Sequence, residues 1–217
     1  MKKLISLTIL LVFMLLFVAC SSEKSVQISE LHQTKEYEKL LVNYPTLFVS
    51  FGIENDCRVL DVNHDLSQEE LEERTRKYSK GEGTLSQYEI YKSDDPTPIF
   101  EMNITEQFIE NEEQEMLFGW DSTVSKIESW SKDPEARHRR YVVIEKGENE
   151  WCEYIFYKDS QLENDEFTYT YECKMKATHG ELSGKDAEPS EMRVTAFSRV
   201  SEKYAQEYFK ALKFHFE

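Results

Sequence analysis

The densest set of metal-type ligands in the chain is Asp61, Asn63, Asp65, Glu69 and Glu72. They stand at positions 1, 3, 5, 9 and 12 of the spacing by which a calcium loop presents oxygen to a hard cation. Position 6 of such a loop is a Gly that makes the sharp turn, and here it is Leu66. The residues before Asp61 also read as a strand. The stretch therefore reads first as a polar loop whose Ser67 caps the following helix, with the cation set kept as a weak candidate.

Arg137, Arg139 and Arg140, with His138 between them, form the one basic cluster. Such a cluster is a weak candidate anion site for a phosphate, a carboxylate or an acidic partner. Balancing neighbouring Asp and Glu accounts for it equally well. Carboxylate pairs that could do acid–base work cannot be singled out among 42 acidic residues. The chain has no GxSxG, HExxH or phosphate loop, and no CxxC for zinc or thioredoxin-like chemistry. No catalytic residue and no cofactor is expected.

Cys152 and Cys173 fall in two strands of one expected hairpin. Alternation sets Phe167, Tyr169, Tyr171, Cys173 and Met175 on one face, and Cys152, Tyr154 and Phe156 on one face of the partner strand. A register that opposes Cys152 to Cys173 also opposes Tyr154 to Tyr171 and Phe156 to Tyr169. The sequence thus predicts a Cys152–Cys173 disulfide, with Cys57 left as a small buried hydrophobe.

The elements that must position these residues follow from capping and periodicity. Ser29 starts a helix to about Asn43, stopped by Pro45. Thr46–Phe51 and Cys57–Val62 read as a strand hairpin. Ser67 and Glu70 make a capping box for a helix ending near Lys80. Strands are expected at Thr84–Tyr91, Ile99–Ile109, Arg139–Glu145, Trp151–Tyr157, Phe167–Met175 and Met192–Phe197. Glu110–Glu115 reads as a solvated acidic run, and Asp121 caps a helix carrying Val124, Ile127 and Trp130. Ser201–Phe214 closes the chain as a helix with Tyr204, Ala205, Tyr208, Phe209 and Leu212 as its stripe. The fold class expected is α+β, a largely antiparallel sheet with helices near the start, middle and C-terminus.

The N-terminus decides location. Lys2 and Lys3 precede Leu4–Ala19, a run without charge, and Cys20 follows it before the polar Ser21-Ser-Glu-Lys-Ser. This n-region, h-region and small-residue ending is an export signal. Val18-Ala19-Cys20 resembles the lipobox of bacterial lipoproteins, with Phe17 where that motif usually has Leu. The resemblance covers Met1–Cys20 alone. It implies residues 1–19 as a lipoprotein signal peptide, lipidation of Cys20, and attachment to the cell membrane on its extracytoplasmic face. Residues 20–27 are then a lipidated tether, and 28–217 a single α+β domain.

Without Lys2 and Lys3 the chain carries 24 basic and 42 acidic residues, a net charge of −18. Such acidity excludes nucleic acid as a partner, since phosphates call for Lys and Arg. It suits a basic protein or peptide. The expectation is a membrane-anchored lipoprotein acting as a binding or interaction module. The alternatives are an envelope hydrolase using carboxylates, and a lipoprotein that sequesters a cation or a basic peptide.

Overall fold

The computed structural model describes residues 24–27, 47–54, 56–80, 86–93, 95–109, 111–133, 139–161, 166–178 and 190–216. The expected helix from Ser29 to Asn43 lies outside these residues, as do Cys20 and Arg137.

Among the described residues, ten strands form two antiparallel sheets. Lys24–Gln27 (β1), Leu47–Ile53 (β2) and Lys213–Phe216 (β10) make a small sheet in the order β1-β2-β10. The large sheet holds Cys57–Asp61 (β3), Tyr88–Lys92 (β4), Phe100–Phe108 (β5), Arg139–Glu148 (β6), Cys152–Gln161 (β7), Phe167–Thr178 (β8) and Ser190–Ser198 (β9). Its order is β3-β4-β5-β9-β8-β7-β6. The helices are Val62–Asp65 (α1), Gln68–Ser79 (α2), Glu112–Phe118 (α3), Trp120–Lys132 (α4) and Glu202–Ala211 (α5). The class is α+β with the sheet dominant.

Several elements differ from expectation. β2 and β3 do not pair as a hairpin: β2 lies between β1 and β10, whereas β3 pairs with β4. Lys24–Gln27, expected as tether, is β1. The acidic run contains α3, because Asn111 caps it by accepting from the Gln114 amide at 3.0 Å. Acidic residues in a first turn also suit the helix dipole. The C-terminal helix ends at Ala211, and after its C-cap Leu212 the residues Lys213–Phe216 are extended as β10. Gly119 lets α3 and α4 meet, since a Cβ there would lie 2.5 Å from the Glu115 carbonyl oxygen.

The two faces of the large sheet are covered by different helices, and strand alternation decides which residue goes where. Cys152, Phe156, Tyr171 and Cys173 join the main core with Ala205, Tyr208 and Phe209 of α5. The neighbouring Ile155 and Tyr157 point the other way and pack with Trp120, Val124 and Ile127 of α4. Tyr171 is the centre of the main core. Its ring stacks on Phe156 at 4.1 Å and on Phe209 at 3.7 Å.

That sandwich explains why the expected β7–β8 register is wrong. Stacking on Phe209 selects Phe156 opposite Tyr171, where Phe156 opposite Tyr169 was expected. Cys152 therefore pairs with Met175, and Cys173 with Tyr154. The shift is two residues, so every side chain keeps its face while the cysteines lose their direct opposition. Cys57, Cys152 and Cys173 are free, buried thiols, and the expected disulfide is absent. Burial, followed by its hydrogen bond with Cys152, pushes the Cys173 thiol well above its ordinary pKa.

Candidate functional site

The α4-facing side of the large sheet carries an enclosed polar network at its β4–β5 end. Glu89 of β4 and Glu101 of β5 are direct cross-strand partners. They are only 2% and 1% exposed, and Ser86 beside them is 2% exposed. Buried carboxylates persist only when paired and hydrogen-bonded. Here the partners come from four segments.

Ser86 Oγ donates to Glu89 Oε1 at 2.7 Å and lies 3.2 Å from Glu101 Oε2. Tyr91 OH donates to Glu89 Oε2 at 2.6 Å. Arg74, reaching down from α2, donates from Nη1 to Glu89 Oε1 at 2.6 Å. Arg199, just after β9, sets its Nε 3.6 Å from Glu101 Oε1. Two carboxyl groups thus face two guanidinium groups. Burial, then the bond to Glu89, raises the Tyr91 pKa, so its phenol keeps the proton it donates. The Arg58 guanidinium lies over the Tyr91 ring, 4.3 Å from its centre, and steadies it by a cation–π contact.

A pair of carboxyl groups bridged by a hydroxyl has the parts of an acid–base site. Ser86 has one hydroxyl proton, and the shorter bond, to Glu89, takes it. Both oxygens of each carboxyl face protein partners, and neither residue is open to a reacting molecule. What the arrangement does, as it stands, is receive a guanidinium: a fixed carboxylate flanked by hydroxyl donors.

A second group lies on the same sheet face. Glu172 accepts from Thr195 Oγ1 at 3.0 Å and from Tyr157 OH at 3.4 Å. Burial raises its pKa above the ordinary carboxylate range, against the lowering effect of those bonds and of Arg193. Part of the residue still reaches solvent. The carboxyl end is nevertheless the part enclosed, and its environment decides the direction. Arg193 donates to Glu191 Oε2 at 3.0 Å and to the Phe118 carbonyl at 2.9 Å, with its guanidinium 5.1 Å from the Trp120 ring centre.

The sequence-derived candidates are placed as follows. Asp61 is buried and caps α1, accepting from the Asn63 amide at 3.2 Å. Asp65 Oδ2 accepts from the Asp61 amide at 2.8 Å. Asn63, Glu69 and Glu72 are exposed. Among the described residues, Asp61, Asp65, Glu69 and Glu72 do not gather three carboxylates within reach of one ion. Asp61 and Asp65 instead bond the first turn of a helix, which is not a ligand loop. Ser67 makes the expected capping box with Glu70. Glu54, Asp56 and Cys57 do converge within 4.8 Å. Lys92 Nζ already fills that place, 3.2 Å from Glu54 and 3.7 Å from Asp56, and Cys57 Sγ lies 3.2 Å from Tyr208 OH. Arg139 and Arg140 are exposed at the start of β6, and Arg139 pairs with Asp159 at 2.8 Å.

One apolar feature stands apart. Met116, Leu117 and Phe118 are consecutive and exposed at the α3–α4 corner. Their three carbonyls are held by Ser122 Oγ, Lys126 Nζ and Arg193 respectively. The backbone is fixed, and the side chains project from it.

Sequence reasoning missed Glu89 and Glu101. Each reads as a polar residue on a strand, and only the β4–β5 register brings them together. No family model, curated protein or solved structure matches the chain.

Proposed function

We propose that the chain is a membrane-anchored extracytoplasmic lipoprotein that acts as a binding or interaction module. The anchor rests on the Val18-Ala19-Cys20 ending after an uncharged run. The module rests on Met116, Leu117 and Phe118, three exposed apolar side chains on a backbone that three side chains pin. A monomer with no partner gains nothing from holding such a group rigid in water. The enclosure of Glu89 and Glu101 supports the same reading over hydrolysis. Among the described residues no helix is long and apolar enough to cross a membrane.

The anchor is tested by labelling cells with radioactive palmitate and fractionating them. Wild type should carry label in the membrane fraction. Cys20→Ser should lose the label and either leave the membrane fraction or stay unprocessed. A Cys20→Ser protein that is still cut and still labelled would overturn the anchor. The module is tested by crosslinking in intact cells from a photoreactive residue at Leu117. A discrete adduct, lost when Met116 and Phe118 are both changed to Ser, is expected. Equal crosslinking with and without those changes would refute it.

A further inference from the structure

Helix α2 has twelve residues and buries none of them. Only Leu71 and Arg74 are even half-buried. Its ends are satisfied locally by the Ser67–Glu70 box, and Glu73 pairs with Lys77 at 2.8 Å along its own surface. Its ionic hold on the sheet is Arg74, whose guanidinium enters the network at Glu89. The receiving carboxylate does not depend on Arg74 for its position. Ser86 and Tyr91 hold it from β4 and from the residues leading into that strand, and Arg58 backs Tyr91. A weakly packed helix therefore inserts one cation into a preformed anionic seat.

We propose that α2 is a displaceable strap, and that Arg74 occupies a seat which takes the arginine side chain of a basic peptide partner. This rests on the reading of the chain as a binding module and names the chemistry of one partner. A fixed carboxylate with flanking donors fits a planar guanidinium better than a compact ammonium. The net charge of −16 draws basic peptides toward the surface before any contact is made. Arg74 competes as a tethered ligand, at an effective concentration on the order of millimolar. A free arginine derivative must overcome that competition in the wild type and is spared it once Arg74 is removed.

The probe is N-acetyl-L-argininamide, titrated into the full-length protein in detergent, with calorimetry and amide hydrogen exchange as readouts. Arg74→Gln should bind it at least about tenfold more tightly than wild type, by the tethered-competitor argument. In the wild type, binding should speed exchange at the α2 amides, because a helix of this length is marginal once it leaves the sheet. The lysine analogue should bind more weakly. Glu89→Gln should abolish binding, and should that variant fail to fold, Tyr91→Phe should weaken it. Arg74→Gln binding no better than wild type would overturn the proposal. Binding that survives Glu89→Gln, or that leaves α2 exchange unchanged, would also overturn it and place the ligand elsewhere, with the module reading intact.

Discussion

Arg74 Nη1 lies 2.6 Å from Glu89 Oε1, joining a helix with no buried residue to a carboxylate that is almost wholly enclosed. The two partners are unequal. Arg74 can return to water, whereas Glu89 cannot. Arg74→Ala should therefore cost about 1–3 kcal/mol, mainly through the carboxylate it leaves short of a partner. The double change Arg74→Ala with Glu89→Gln should recover part of that loss. Urea unfolding of the four proteins of this cycle measures the coupling, and strictly additive losses would contradict it.

Glu172 should give the fold a pH dependence. Its pKa is raised in the folded state, chiefly by burial, so the folded chain holds that proton more tightly than the unfolded chain does. The associated stability is complete below the ordinary carboxylate pKa and is lost as pH rises through the raised value. Glu172→Gln should flatten this part of the stability curve and make the protein relatively more stable at neutral pH. Thermal melts from about pH 4 to pH 8 test it, and a variant with the wild-type slope would count against the assignment.

Cys57, Cys152 and Cys173 should behave as inert thiols in the native protein, because all three are buried away from the reagent, and at Cys173 burial also disfavours the reactive thiolate. Maleimide should label none of them before unfolding. After denaturation without reductant it should label all three. A protein mass lacking two of those adducts, with the unlabelled peptides being those of Cys152 and Cys173, would show that these two are bonded after all.

Gly119→Ala should be costly, because Gly119 is buried where α3 meets α4. The added methyl would meet the Glu115 carbonyl oxygen, which already accepts the Gly119 amide at 2.8 Å. Backbone cannot move aside as a side-chain tip can, so a loss of about 1–3 kcal/mol is expected. The α3–α4 corner should loosen with it. Proteolysis that begins near Met116–Phe118 in the variant alone would show this.

The local signals in the sequence carried well. Ser67 with Glu70 announced the start of α2, and alternation placed Cys152, Tyr154 and Phe156 on the correct shared face. Non-local relations did not carry. Parity is blind to a shift of two, and it was Phe209, some forty residues beyond Tyr171, that selected the β7–β8 register. Glu89 and Glu101 were hidden for the same reason, since their pairing exists only across strands. α3 was concealed by composition: an acidic run reads as solvated surface until Asn111 is recognised as its cap. The helix expected to reach Phe214 stops at Ala211, and Lys213 and Phe214 instead open β10, whose pairing with the distant β2 is a non-local relation that helical spacing cannot show.

The adjacency of β5 and β9 bears on how the chain reaches this state. β5 ends at Phe108 and β9 begins at Ser190, and the eight-residue ladder between them joins two otherwise separate meanders. At about 5–20 residues per second, synthesis of residues 109–189 takes roughly 4–16 s. Throughout that interval the β3–β4–β5 meander presents an open edge with nothing to close it. The last step is a long-range one, which makes folding slow and the waiting edge prone to pairing with other chains. Lesions in β9 would then act on yield before they act on stability. They would leave two half-sheets with complementary free edges, each able to find its missing neighbour on another molecule.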